Sequence, residues 1–188
     1  MSNLKSVCVY CGSSDDVKGD YLRLATETGR TLASKGLRMV YGGGGVGLMG
    51  ACARAAHGDG GDVLGIMPKF LLKKEMVFEE VEHRIVDDMH TRKQMMFDES
   101  DAFIVLPGGI GTLEEAVEML SWSRLGLHAK PMAFLDEDGF WDPFFDLMDH
   151  IIEGRFTPEA FRRALIHTDT PEAAIEALQD SVIRLDAP

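Results

Sequence analysis

The 188-residue sequence predicts an α/β fold, a doubly wound, Rossmann-like parallel sheet with helices on both faces. Three observations carry this. Short apolar runs alternate with longer stretches of helical spacing along the chain, the signature of βαβ units with right-handed crossovers. No linker, repeat or low-complexity tract interrupts the alternation, so residues 1–188 read as one domain. Glycine-rich loops follow some of the runs, at the strand ends where ligands sit in open α/β sheets.

The first run is SVCVY (6–10), ending in the loop CGSS (11–14), with a helical stretch over 20–34. LRMVY (37–41) follows and leads through GGGGVGLMG (42–50) into a helix over 46–57. DVLGIM (62–67) and VEHRIV (81–86) are the next two strands, the second leading through DMHTRK into a helix over 88–100. AFIVL (102–106) passes through PGGIGT (107–112) into a helix over 112–125. PMAFL (131–135), the solvated turn DEDG (136–139) and a helix over 141–153 come next, with a last helix near 171–180. The loops CGSS, GGGGVGLMG and PGGIGT converge on one rim of such a sheet.

Composition bounds the partners. A chain of this length buries roughly 70% of its unfolded surface and needs no staples. The formal charge of -12 argues against nucleic acid and anionic membrane, which reward a basic face. No stretch reaches the length of a membrane span and the start lacks a signal-peptide core, so the expected location is cytoplasmic. Cys8, Cys11 and Cys52 are an odd number, which disfavours a disulfide framework. Cys8 and Cys11 form a CxxC, but Cys8 lies inside an apolar run and not at a helix start, where a redox pair belongs. No histidine has metal-ligand spacing, so the expected site is free of metal and cofactor.

Three motifs carry chemistry. Gly45 to Gly50 spell GxGxxG between a strand and a helix, which raises a dinucleotide site, but no acidic residue ends the next strand to hold a ribose. Glycines serving only tight helix–strand packing explain the same residues. In PGGIGTLEE, Gly108, Gly109 and Gly111 let backbone N–H groups turn inward at a helix start, a cradle for phosphate. Thr112 to Glu115 also read as a capping box with Thr112 at the N-cap, and both readings stay open. Arg92 and Lys93 open a helix, where positive charge opposes the dipole; a bound phosphate explains them, and so does a pair of solvent-facing cations.

Taken together, GGGGVGLMG, DMHTRK and PGGIGTLEE resemble the Lonely Guy family of phosphoribohydrolases, which activate cytokinins, and the resemblance runs from CGSS to about residue 153. Members are often labelled lysine decarboxylases, yet no lysine here stands in a pyridoxal phosphate context. The resemblance implies hydrolysis of the N-glycosidic bond of adenosine 5'-monophosphates, N6-modified or plain, to free base and ribose 5-phosphate. It implies Arg92 and Glu115 as the catalytic pair, with Gly109, Ile110, Gly111 and Thr112 on the phosphate and Lys93 assisting. Glu75 and Ser121 match substrate-contact positions, Ser121 standing where plant members typically carry threonine. Met89, Gly108, Leu113, Glu114, Ser13, Gly43 and Gly44 complete the implied substrate contacts. A homodimer whose sites are completed by the partner is also implied, and the apolar stretch 116–127 is compatible with it. Because guanidinium stays charged, Arg92 suits the fixing of phosphate and ribose, and the proton donor to the base stays unassigned. Two other classes remain: a nucleotide-binding module without catalysis, and an oxidoreductase on the glycine loop.

Overall fold

A computed structural model describes residues 4–72 and 76–185. Its strands are β1 (Ser6–Tyr10), β2 (Arg38–Tyr41), β3 (Val63–Pro68), β4 (Glu82–Val86), β5 (Ala102–Val105), β6 (Met132–Leu135) and β7 (Ile166–Thr168). They form a sheet in the order β4-β3-β2-β1-β5-β6-β7, with every pairing parallel. The helices are α1 (Gly19–Ser34), α2 (Gly47–Gly58), α3 (Met89–Asp98), α4 (Ile110–Arg124), α5 (Asp142–Glu153) and α6 (Pro171–Leu185). A short 3-10 helix, Glu159–Ala164, joins α5 to β7.

The central strands are buried along their whole length because helices cover both faces. Val7, Val9 and Cys11 face a core shared with α1, α2 and α6. Cys8 and Tyr10 face the opposite core, built with α3, α4 and α5. Strand alternation therefore sends the two CxxC sulfurs to opposite sides of the sheet, and burial pushes both thiols well above their ordinary pKa. The edges are protected differently: β4 carries Glu82 and Arg84, and β7 is only three residues long.

The chain winds outward from β1 through β2 and β3 to β4, then crosses to β5 and winds the other way. The switch point lies between β1 and β5, where Gly12 N–H donates to the Pro107 carbonyl at 3.1 Å. Crevices at such points are where open α/β sheets bind ligands. Among the described residues no helix is long and apolar enough to cross a membrane.

Three elements differ from the sequence reading. β7 and the 3-10 helix were not expected, because IHT is short, half-polar and carries no apolar run. α4 begins at Ile110, two residues earlier than expected, with Gly109 as its N-cap in extended conformation and no side-chain cap bond. The capping box is therefore not formed. Thr112 lies in the first turn, its hydroxyl packed so closely on Gly108 that a Cβ there would meet it at 2.2 Å.

Candidate active site

At the rim, the glycine loops turn out to do different jobs. The start of α2 is plugged by the chain itself: Gly47 N–H donates to Asp15 Oδ1 at 2.6 Å, and the Leu48 and Met49 amides donate to the Gly12 carbonyl at 3.0 and 3.3 Å. Gly47 has φ 59, and a Cβ on it would lie 2.5 Å from the Ser13 carbonyl carbon. These glycines exist for backbone-on-backbone packing, which removes the amides a dinucleotide phosphate would need. The oxidoreductase reading falls with them.

The start of α4 is the reverse case. Gly109, Ile110 and Gly111 are exposed, and among the described residues no group accepts from the Ile110, Gly111 or Thr112 amides. Ile110 and Gly111 thus offer open N–H groups at the positive end of a fifteen-residue helix, directly beside the β1/β5 switch point, with the buried Thr112 next along the turn. This is an anion cradle in the geometric sense.

Beneath it lies a buried ion pair. Arg92 of α3 and Glu115 of α4 approach to 3.6 Å, with side chains 6% and 9% exposed. That spacing is an ion pair and not a hydrogen bond. Arg92 Nε donates to the Ile66 carbonyl at 3.1 Å and Nη2 to the Gly42 carbonyl at 3.0 Å, so the guanidinium is clamped to the ends of β3 and β2. Nη1 is left to face Glu115, with the Met89 sulfur 3.9 Å away. α3 is set for this by its N-cap, Asp88, whose carboxylate accepts from Thr91 N–H at 2.8 Å; that bond holds the Asp88 pKa below its usual value.

Lys93 is also buried, but it points to carboxylates of α4: Nζ donates to Glu114 at 2.6 Å and to Glu118 at 3.0 Å. Burial by itself would lower its pKa, yet these two bonds outweigh it and the net shift is upward. Neither of the paired cations is solvent-facing, and Lys93 ties α3 to α4 so that Arg92 and Glu115 meet in register.

The remaining candidates are dispersed. Gly43 and Gly44 are buried in the β2 loop and Ser13 is exposed on the β1 loop, all on the same rim. Leu113 is half-buried and Gly108 borders the cradle. Glu75 lies outside the described residues. Ser121 is exposed on α4, eleven residues beyond Ile110 and so roughly 16 Å down the helix, which removes it from the cradle of its own chain. The plug residue Asp15 was not anticipated, since an exposed acid in a loop carries no sequence signal of its partner. Among the described residues no group of three or more His, Cys, Asp or Glu is placed to hold a metal ion.

A family model described as "Possible lysine decarboxylase" matches residues 49–178. The chain is 43% identical over 182 residues to "Cytokinin riboside 5'-monophosphate phosphoribohydrolase LOG" of Oryza sativa subsp. japonica, across 96% of this chain and 75% of that relative. It is 41% identical over 180 residues to a cytokinin riboside 5'-monophosphate phosphoribohydrolase of Arabidopsis thaliana, across 95% and 84% of the two chains. Among solved structures, the molybdenum cofactor binding protein from Rippkaea orientalis superimposes with a TM-score of 0.71 at 22% identity, over 96% of this chain and 98% of that one. At that identity the likeness shows the fold alone.

Proposed function

This chain belongs to the Lonely Guy family of cytokinin riboside 5'-monophosphate phosphoribohydrolases, and from that membership we propose that it hydrolyses the N-glycosidic bond of adenosine 5'-monophosphates, N6-modified or plain. The products are the free base and ribose 5-phosphate, and the whole chain acts as one nucleotide-hydrolysing domain. The observation that carries the reading is the stacking of an open anion cradle over a buried Arg–Glu pair. Glu115 lies five residues past Ile110, roughly 7 Å below the open amides, comparable to the span from a 5'-phosphate to the glycosidic carbon.

In this reading the Ile110, Gly111 and Thr112 amides bind the phosphate, with Gly108, Gly109, Leu113 and Glu114 shaping the cradle around them. The anchored phosphate contributes binding energy that orients the sugar over the pair. Departure of the base builds oxocarbenium-like positive charge on the ribose, which the Glu115 carboxylate stabilises while orienting the attacking water. Arg92 holds Glu115 and presents Nη1 to the substrate, Lys93 fixes α3 on α4, and Met89, Ser13, Gly43 and Gly44 border the sugar and base. No metal enters these steps. Glu75 is retained as a substrate contact from the family resemblance.

The phosphate is the first test. Base release from AMP, followed by chromatography together with ribose 5-phosphate, is expected, with adenosine cleaved at least about 100-fold less efficiently, since cradle and phosphate interact through charge-assisted bonds. Equal cleavage of adenosine would remove the cradle from the mechanism. Binding of AMP with no base release would leave a nucleotide-binding module in place of an enzyme.

The assembly proposed is a homodimer. Ile110 (83% exposed), Val117 (45%) and Leu125 (68%) form a stripe along α4 at roughly helical spacing, and Ser121 lies on the same side. Large apolar groups aligned this way mark an interface. A second copy placed there brings Ser121 to the partner's site, which its own cradle lies too far to offer. Light scattering at micromolar concentration is expected to give a dimer, and the Val117→Glu/Leu125→Glu variant a monomer with greatly reduced turnover. A fully active monomer would contradict the shared site.

A further inference from the structure

Arg92 has committed two of its three nitrogens. Nε and Nη2 donate to the Ile66 and Gly42 carbonyls, and Nη1 is the nitrogen left to face Glu115. Among the described residues, the other contact of Nη1 is a thioether: Met89, the first residue of α3, places its sulfur 3.9 Å away. Thioether sulfur is a weak acceptor, so it lines the guanidinium without drawing Nη1 from Glu115. The proposed reaction uses Met89 as a wall and leaves its sulfur chemistry unused.

That sulfur is open to change. Met89 is half-buried at the rim, within reach of small solutes, whereas Met39, Met67 and Met96 are fully buried. The cysteines do not compete for an oxidant. Cys8, Cys11 and Cys52 are buried as free thiols, and burial pushes each of them up, Cys52 to about 12, so none offers the thiolate that reacts with peroxides. Oxidation of methionine to its sulfoxide replaces a flexible apolar group by a polar one and is reversible.

We propose that Met89 is an oxidative modification site that lowers turnover: hydrogen peroxide oxidises its thioether to the sulfoxide, and the new oxygen accepts from Nη1 of Arg92. The sulfur loses two electrons and gains one oxygen atom, and the peroxide is reduced to water. No bond to the side chain breaks. A thiol-dependent sulfoxide reductase reverses the step, removing the oxygen as water while two thiols become a disulfide. The sulfoxide oxygen makes a charge-assisted hydrogen bond, and it meets little competition, because Glu115 at 3.6 Å is an ion pair without a hydrogen bond. With Nε and Nη2 anchored, the guanidinium stays in place and Nη1 is taken from the substrate. The inference rests on the proposed role of Arg92 in presenting Nη1 to the nucleotide.

The test is treatment of the full chain with hydrogen peroxide, following three quantities on the same samples: sulfoxide at Met89 by peptide mass mapping, base release from AMP, and AMP binding by calorimetry. Turnover and affinity are each expected to fall by about tenfold or more in step with Met89 sulfoxide, the scale of one hydrogen bond to a charged group, and to return on incubation with methionine sulfoxide reductases and a thiol. Met89→Leu should keep whatever turnover and AMP affinity it starts with through the same treatment. Met76→Leu, which removes a thioether that is 70% exposed, should lose both as the wild type does. Met89 sulfoxide with undiminished turnover and affinity would overturn the proposal. So would a loss that Met89→Leu does not prevent, or a peroxide dose that oxidises Met76 and leaves Met89 intact. A chain that binds AMP and releases no base before treatment refutes the hydrolase reading instead, and the affinity measurement then still decides the fate of the switch.

Discussion

Glu115→Gln is expected to yield a folded protein whose kcat for base release falls by about 100-fold or more, the scale seen when a preorganised electrostatic partner of a transition state is removed. Two structural findings sharpen this expectation. Glu115 does not cap its helix, because α4 starts at Ile110 with Gly109 as N-cap, so loss of a cap cannot account for any effect. Its carboxylate faces Arg92 at 3.6 Å in a buried setting, and neutralising one member of such a pair leaves the other less compensated. A stability loss of about 1–3 kcal/mol is therefore expected, less than full uncompensation because Arg92 keeps its two carbonyl acceptors. Glu114→Gln is the control on the adjacent residue. Its carboxylate is half-exposed and pairs with Lys93, which retains Glu118, so turnover should change by less than about tenfold and stability by at most about 1 kcal/mol. Steady-state kinetics and thermal unfolding of both variants decide the matter. A fully active Glu115→Gln enzyme would end its catalytic role and leave the phosphate cradle intact.

Arg92→Lys should lower kcat/KM by about 100-fold while preserving the charge. The guanidinium spends Nε on Ile66 and Nη2 on Gly42 and still turns Nη1 toward Glu115. A point-like ammonium has no rigid fork with which to serve three separated acceptors. One or two of those acceptors then stay unpaired in a buried place, which adds a stability loss of roughly 1–3 kcal/mol. Arg92→Ala should be worse, about 3–5 kcal/mol, because it removes the cation that faces the buried Glu115 carboxylate. The lysine variant is the informative one, since it keeps the net charge and separates geometry from electrostatics. Wild-type kcat/KM in folded Arg92→Lys would show that the fork is not needed.

The central strands could be read from the chain with little error, because a strand buried on both faces must be uniformly apolar whatever its neighbours are. SVCVY, AFIVL and PMAFL each became such a strand. The three-residue β7 could not, since an edge strand with a polar centre looks like any loop. The glycine loops were legible as unusual backbone and not as to purpose. GGGGVGLMG and PGGIGT both offer glycines before a helix, yet one helix start is plugged by Asp15 and Gly12 and the other stands open. Arg92 and Glu115 were paired through the family resemblance and not by their local motifs, and Lys93, expected to assist the phosphate, is held between Glu114 and Glu118.

What the sequence determined by itself is whatever follows from the period and chemistry of neighbouring residues: the alternation of strands and helices, the sidedness of the strands, the acidic exterior and the residue types at the rim. Only the tertiary structure decided which donor meets which acceptor. That depends on how far α3 slides and rotates against α4, and on how closely the β1 loop approaches the start of α2. A side chain such as Lys93 or Asp15 has several possible partners within reach in the unfolded chain, and the packing of the core beneath it leaves one.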